Sequence, residues 1–227
     1  MITFNNGFDE LLGGGLQEGI LTHIFGPPAS GKTNLALLAT INASGSGRVV
    51  YIDPEGGFSV ERLRQMAGER LKAVLESIIL VQPTTFEEQK TAIARLEEVV
   101  ASTNVSLVVM DSIAMLYRME EDKDVRMLGR MLAQLLRIGR KHNIAVLLMN
   151  QVYSDFETAR VRPIGGHITE YFTKNMVELV RQEDGSRHAI LRRHQTMAEG
   201  MEIEFRLTQA GVETSSQQPI TGEHPLA

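Results

Sequence analysis

The feature that most constrains this chain is the octapeptide Gly26-Pro27-Pro28-Ala29-Ser30-Gly31-Lys32-Thr33, which has glycine, Gly-Lys and threonine at the spacing of a phosphate-cradling loop. An apolar run at residues 21–25 precedes it, and an Ala/Leu-rich stretch opening at Asn34 follows to residue 43. That context matters because the loop works only between a strand and a helix. Its glycines let the backbone curl until several N–H groups point inward, at the positive end of the following helix, where an anion is held. Lys32 can then reach the β- and γ-phosphates, and the Thr33 hydroxyl can bind Mg²⁺. A chance glycine turn explains this many matched positions poorly. The chain is expected to bind a nucleoside triphosphate, ATP with magnesium, through Gly26, Pro27, Pro28, Ala29, Ser30, Gly31, Lys32, Thr33 and Asn34.

Strand-like runs at 21–25, 48–53, 77–81, 106–111 and 144–150 alternate with helical stretches. Several are apolar throughout, as strands covered on both faces should be. This predicts an α/β fold: a P-loop NTPase core with a mainly parallel central sheet and helices on both faces. Thr85 and Glu88 have capping-box spacing and open a helix to about residue 101. In residues 124–142, Val125, Leu128, Leu132, Leu135, Leu136 and Gly139 recur at helical spacing. After Asn150 the texture changes. Residues 152–163 are polar and read as a mobile loop ending in Pro163-Ile164-Gly165-Gly166. Runs at 176–182, 187–193 and 202–207 predict an antiparallel C-terminal extension, with a turn at Glu183-Asp184-Gly185-Ser186. The core is assigned to residues 1–210. Residues 211–227, rich in Ser, Thr, Gln, Pro and Gly, are expected to be a disordered tail.

Composition narrows the function classes. The absence of cysteine excludes disulfides and thiol-ligated metals, and the six scattered histidines form no i,i+4 pair for a transition metal. A net charge of −5 excludes a general attraction to nucleic acid, so any such surface must be a local basic patch. No apolar run approaches the roughly 20 residues of a bilayer span. Residues 1–10 lack a basic and apolar leader, so the expected location is cytoplasmic, with no membrane partner.

Other candidate site residues follow from position. Asp111 closes the apolar run 107–110, and a carboxylate at such a strand end can hold a metal beside the loop, so Thr33 and Asp111 form the candidate metal pair. Many strands end in Asp; the pairing with the loop is what singles this one out. Asp53-Pro54-Glu55 puts two carboxylates at the edge where open α/β sheets bind ligands. There Glu55 either orients the attacking water or is a surface-turn carboxylate. Asn150-Gln151 either senses a γ-phosphate and signals to the following loop or is an ordinary polar pair after a strand. Arg160 and Arg162, near Gly165 and Gly166, combine cations with flexible backbone as a nucleic-acid contact requires. Arg126, Arg130, Arg137 and Lys141 share a helical face that reads as solvated.

In this order the motifs resemble the RecA/RadA recombinase superfamily, and within it a small archaeal paralogue group, over residues 4–208. Phe8-Asp9-Glu10-Leu11-Leu12-Gly13-Gly14-Gly15-Leu16 is similar to the family's lead-in to the P-loop. Tyr51-Ile52-Asp53-Pro54-Glu55-Gly56-Gly57-Phe58 resembles its second-strand motif, which implies that Glu55 activates water; Glu61-Arg62-Leu63 implies that Arg62 stacks on adenine. Asp111-Ser112 leads toward a first DNA-binding loop at residues 119–124. Asn150-Gln151-Val152 resembles the γ-phosphate sensor, and Pro163-Ile164-Gly165-Gly166 the end of a second DNA-binding loop. The resemblance thus implies a RecA-like ATPase with Glu55, Lys32 and Gln151 as catalytic residues and ATP and Mg²⁺ as cofactors. It also implies DNA, preferentially single-stranded and weakly held, as partner. The main archaeal recombinase of the RadA type is the expected protein partner; other recombination or replication proteins, and a homodimer, are further candidates.

Departures from the family pattern shape the expectation. The lead-in begins within ten residues of Met1, so neither an N-terminal helical DNA-binding domain nor a polymerisation motif is expected. The first loop is acidic (Glu120, Glu121, Asp122, Asp124), and Arg193-His194-Gln195-Thr196 stand where the ATP-capping segment carries Asp and Pro. These differences imply slow hydrolysis and an accessory role in homologous recombination and DNA repair. Arg192 and Arg193, in the capping segment, are candidates to reach a neighbour's ATP. A KaiC-like signalling ATPase and a non-catalytic ATP-binding adaptor are the rival readings; residues 163–166 after Asn150-Gln151 speak against the first.

Overall fold

The computed structural model describes residues 1–120, 124–154 and 161–215. In chain order its elements are α1 (Gly7–Leu11), β1 (Leu21–Phe25), α2 (Lys32–Ala43), β2 (Arg48–Ile52), α3 (Val60–Ala67), α4 (Leu71–Ser77), β3 (Ile78–Val81), α5 (Phe86–Ser102), β4 (Val105–Asp111), α6 (Met115–Met119), α7 (Val125–His142), β5 (Ala145–Asn150), β6 (Val152–Ser154), β7 (Val161–Pro163), α8 (His167–Phe172), β8 (Asn175–Arg181), β9 (Arg187–Arg193), β10 (Glu202–Thr208) and β11 (Gly211–Thr214). Among the described residues, one sheet runs in the order β11-β10-β9-β8-β1-β5-β4-β2-β3. From β8 to β3 every pairing is parallel, and β9, β10 and β11 continue the sheet antiparallel. The predicted RecA-like architecture is therefore present.

The strand sequences explain the layering. All residues of β1 and β5 are buried, which requires helices on both faces. One core joins Phe8, Leu35, Tyr51, Leu63 and Phe205 on the α1, α2 and α3 side; the other joins Val50, Ile93, Leu132 and Leu148 beneath α5 and α7. Thr85 accepts from the Glu88 amide as predicted, but the Glu88 carboxylate bonds the Thr84 amide and hydroxyl, so the capping box is not reciprocal. Asp124 caps α7 through the Arg126 amide, and Asn143 ends it in the left-handed conformation at φ 52°.

Two expectations need correction. Residues 152–163 do not read through as a loop, because β6 and β7 pair with Val152 opposite Pro163 and Tyr153 opposite Arg162. Their Val and Tyr residues favour a pleated ribbon, which the surrounding polar composition concealed. Residues 155–160, and so Arg160, lie outside the described residues. The boundary at Gly211 also moves, since residues 211–214 form β11. Asn6 and Gly7 donate to the Val212 carbonyl and the Thr214 hydroxyl, and Val212 is buried. One apolar side chain plus backbone pairing suffices for an edge strand, and composition is blind to the second. No described helix is long and apolar enough to cross a membrane.

Candidate nucleotide site

Parallel register gathers the site. Phe25 lies opposite Asn150, Asp111 opposite Met149 and Ile52 opposite Met110, so β1, β5, β4 and β2 end along one edge. The glycine loop leaves that edge after β1. At Gly26 an added Cβ would stand 2.5 Å from the Leu179 carbonyl oxygen, and Gly31 takes a φ of 108°, so neither position admits a side chain at low cost. Gly31 offers no side-chain cap to α2, which leaves the first-turn amides for a ligand. The buried Ser30 hydroxyl has no partner among the described residues. The Lys32 Nζ donates to the carbonyls of Gly26 and Pro27, both at 2.8 Å. Burial pulls its pKa down, and Asp111 and Glu55 partly oppose that shift. Unclaimed amides, an orphan hydroxyl and an ammonium held only by loop carbonyls fit the phosphates of a nucleotide.

Thr33 donates to Asp111 Oδ2 at 2.8 Å, and the Tyr51 hydroxyl donates to the same oxygen at 3.0 Å. Sequence reasoning placed Tyr51 only in a motif. The signal it offered was an aromatic with a polar tip in a fully buried strand, which demands a hydrogen-bond partner. Burial raises the pKa of Asp111 from 3.8 to about 6, against the two hydrogen bonds that hold it down. An acid raised on folding is favoured in its protonated form. Its contribution is therefore complete below about pH 4 and is lost as pH rises through about 6. Asp111→Asn is expected to stabilise the nucleotide-free, EDTA-treated protein at neutral pH by up to about 3 kcal/mol, with no gain near pH 4. Thermal unfolding at the two pH values checks this, and a lower neutral Tm for the variant would refute it.

Asp53 is buried and accepts from the amides of Gly57 and Phe58 and from Gln82 Nε2, each at 3.0 Å. It shapes the turn that carries Glu55 outward. The Glu55 carboxylate accepts from Gln151 Nε2 at 3.2 and 3.1 Å and also from the Ser112 hydroxyl. Gln151 in turn accepts from Arg118 at 3.4 Å. Candidate base and candidate sensor are thus in direct contact; Ser112, which the sequence placed only in a motif, and Arg118, which it did not flag, complete the chain. Asn150 Nδ2 donates to the Ile164 carbonyl at 2.7 Å, and the Ile164 amide donates to the Gln151 carbonyl at 3.0 Å. Those two bonds bind the sheet edge to the strap bearing Gly165 and Gly166.

Arg62 is drawn toward the C-terminal hairpin. It donates to Asn34 Oδ1 at 2.6 Å and to the carbonyls of Thr208, Gln209 and Gly211 at 2.8, 3.1 and 3.3 Å. His194 closes its own segment: Nδ1 accepts from the amides of Thr196 and Met197, both at 3.1 Å, and Nε2 donates to the Leu12 carbonyl at 3.2 Å. Burial lowers its pKa, in keeping with that neutral tautomer. Arg162, Arg192 and Arg193 line a hollow of about 810 Å³ beside Phe25. Arg192 is paired with Glu178 at 2.6 Å and Arg193 donates to the Glu170 carbonyl at 2.7 Å, which weakens their reading as groups reaching a neighbour's nucleotide.

A parallel sheet with an anion-binding loop after one strand and an acidic residue after another defines a P-loop nucleotide-binding core. The family model described as Rad51 matches residues 1–215. A protein named DNA repair and recombination protein RadB from Methanosphaera stadtmanae is 37% identical over 220 residues, covering 93% of this chain and 95% of that one. One of the same name from Pyrococcus abyssi is 40% identical over 224 residues, covering 97% and 96%. A solved structure described as the crystal structure of the RadB recombinase superposes with a TM-score of 0.84 at 41% identity, covering 95% of this chain and all of that one. The chain belongs to the Rad51 family, in its RadB group.

Proposed function

We propose that this protein is a RecA-like ATPase that binds ATP with magnesium, hydrolyses it slowly, binds DNA weakly and assists the main recombinase in homologous recombination and DNA repair. The observation that carries this reading is the meeting of Lys32, Thr33, Asp111, Glu55 and Gln151 at one sheet edge. The names of the relatives, DNA repair and recombination protein, support its biological side.

The residues divide the work. The amides of Ala29 and of Gly31 to Asn34 and the Lys32 ammonium hold phosphate oxygens. Thr33 and Asp111 would hold magnesium, a hard cation suited to their oxygens, which neutralises phosphate charge when bound. Glu55 positions the attacking water, and Gln151 reports the γ-phosphate. The Gln151 amide donates to the Glu55 carboxylate, so a shift of the sensor would be felt directly by the base. Turnover measured with and without single-stranded DNA tests the proposal. Tight ATP binding with no turnover in either condition would leave the adaptor reading in its place.

DNA binding should be weak, because the chain is acidic overall, and should be lost as salt rises, because a local basic patch facing phosphates would carry it. Replacing Arg160 and Arg162 with Ala is expected to weaken single-strand binding more than replacing Arg137 and Lys141, which already share Glu97. Anisotropy titrations across salt concentrations compare the two pairs. A larger loss from the helix pair would move the DNA surface to α7.

A further inference from the structure

On the face of α7 away from β5, the described residues leave a groove that the nucleotide reading does not use. Ala133, Leu136, Arg137, Arg140, Lys141 and Phe172 line about 510 Å³ of it. A second hollow of about 700 Å³ shares Leu136, Arg140 and Phe172 and adds Tyr171 and Lys174. Its floor is aliphatic and aromatic, and its rim is cationic. Helical spacing sets this up, because residues 133, 136, 137 and 140 fall on one face of α7, and α8 packs close enough that a Cβ at Gly129 would stand 3.2 Å from Ile168.

Two features mark the groove as unfinished. Tyr171 is 76% exposed, although this chain has few aromatics, and its ring is held edge-on to Phe172 at 5.2 Å and 87°. The cations also outnumber their partners. Arg137 and Lys141 both draw on the single carboxylate of Glu97, while neither the Arg140 nor the Lys174 side chain has a hydrogen bond or ion pair among the described residues. Glu170 also lines the second hollow, with Arg193 and with His167, which it faces. In a chain of net charge −5 this is a local excess of positive charge around an apolar hollow.

We propose that the groove between α7 and α8 docks an acidic protein segment carrying a bulky apolar side chain. Electrostatic complementarity selects the acidic residues and steers them to the rim, while the apolar floor takes the anchor and supplies the buried contact. A nucleic-acid strand satisfies only half of this. Its phosphates would meet the rim, but the concave aliphatic floor offers a base no hydrogen-bonding edge and only the edge-packed Tyr171 for stacking. The proposal does not depend on the nucleotide site.

The test uses the full chain and a short fluorescein-labelled synthetic peptide in which Asp and Glu flank one Phe and one Leu. A control peptide has Ser at both apolar positions, and oligothymidylate serves as the nucleic-acid probe. The first peptide is expected to bind saturably and the Ser control at least about tenfold more weakly. Arg140→Glu with Lys174→Glu, both exposed positions, should lower peptide affinity about tenfold or more and leave ATP affinity unchanged. Tyr171→Ala should lower it several-fold with an unchanged melting temperature. The proposal is overturned by absence of saturable peptide binding, by equal binding of the Ser control, or by equal affinity in the double variant. It is overturned equally if oligothymidylate, rather than the peptide, loses affinity in that variant.

Discussion

Lys32→Ala is expected to abolish measurable ATP binding while the fold survives. The Lys32 ammonium is almost wholly buried, bonded among the described residues only to the carbonyls of Gly26 and Pro27, and its charged form is already disfavoured by desolvation. Removing it takes away a costly buried charge and two loop contacts, so the nucleotide-free protein loses little. The nucleotide complex loses a charge-assisted contact to phosphate, worth about 2–5 kcal/mol, or roughly thirty- to several-thousand-fold in affinity. Titration with a fluorescent nucleotide, alongside circular dichroism, measures both halves. Unchanged affinity would remove Lys32 from the site.

Glu55→Gln separates binding from turnover. The amide keeps the shape of the carboxylate and an acceptor for Ser112 and Gln151, but it cannot take a proton from water. ATP affinity should stay the same. Turnover should fall at least about tenfold; loss of a general base costs about 10²–10⁴-fold, and the slow parent rate of the proposed reading leaves less to lose. Equal rates in the two proteins would assign water positioning to another group.

Much of this arrangement is legible in the chain because its strongest signals are local. The glycine loop, its flanking strand and helix, and the carboxylates after β2 and β4 are each set within a few residues, and the parallel sheet then brings them together. What escaped is of a different kind. Tyr51 on β2 reaches Asp111 on the neighbouring β4, Ser112 meets Glu55, and Arg118 meets Gln151, pairings set by strand order. The β6–β7 ribbon and β11 were missed because edge pairing depends on backbone hydrogen bonds, which leave little trace in composition. The sequence did indicate a basic stripe of Arg126, Arg130, Arg137 and Lys141 on α7. Contacts divide it, with Arg137 and Lys141 sharing Glu97 and Arg126 paired with Asp124.

The junction of Asn150 and Gln151 with Ile164 carries a further consequence. The residues that face the nucleotide edge and the strap beyond it share two direct hydrogen bonds, one on each side of the same peptide segment. On the proposed reading, a strand of DNA that repositions the strap and a γ-phosphate that repositions Gln151 act on one and the same piece of backbone. Linkage then makes their influence mutual: whatever factor ATP contributes to DNA affinity, DNA contributes to ATP affinity. On that reading the chain can behave as a reporter, holding DNA differently according to whether nucleotide is bound, without needing rapid turnover.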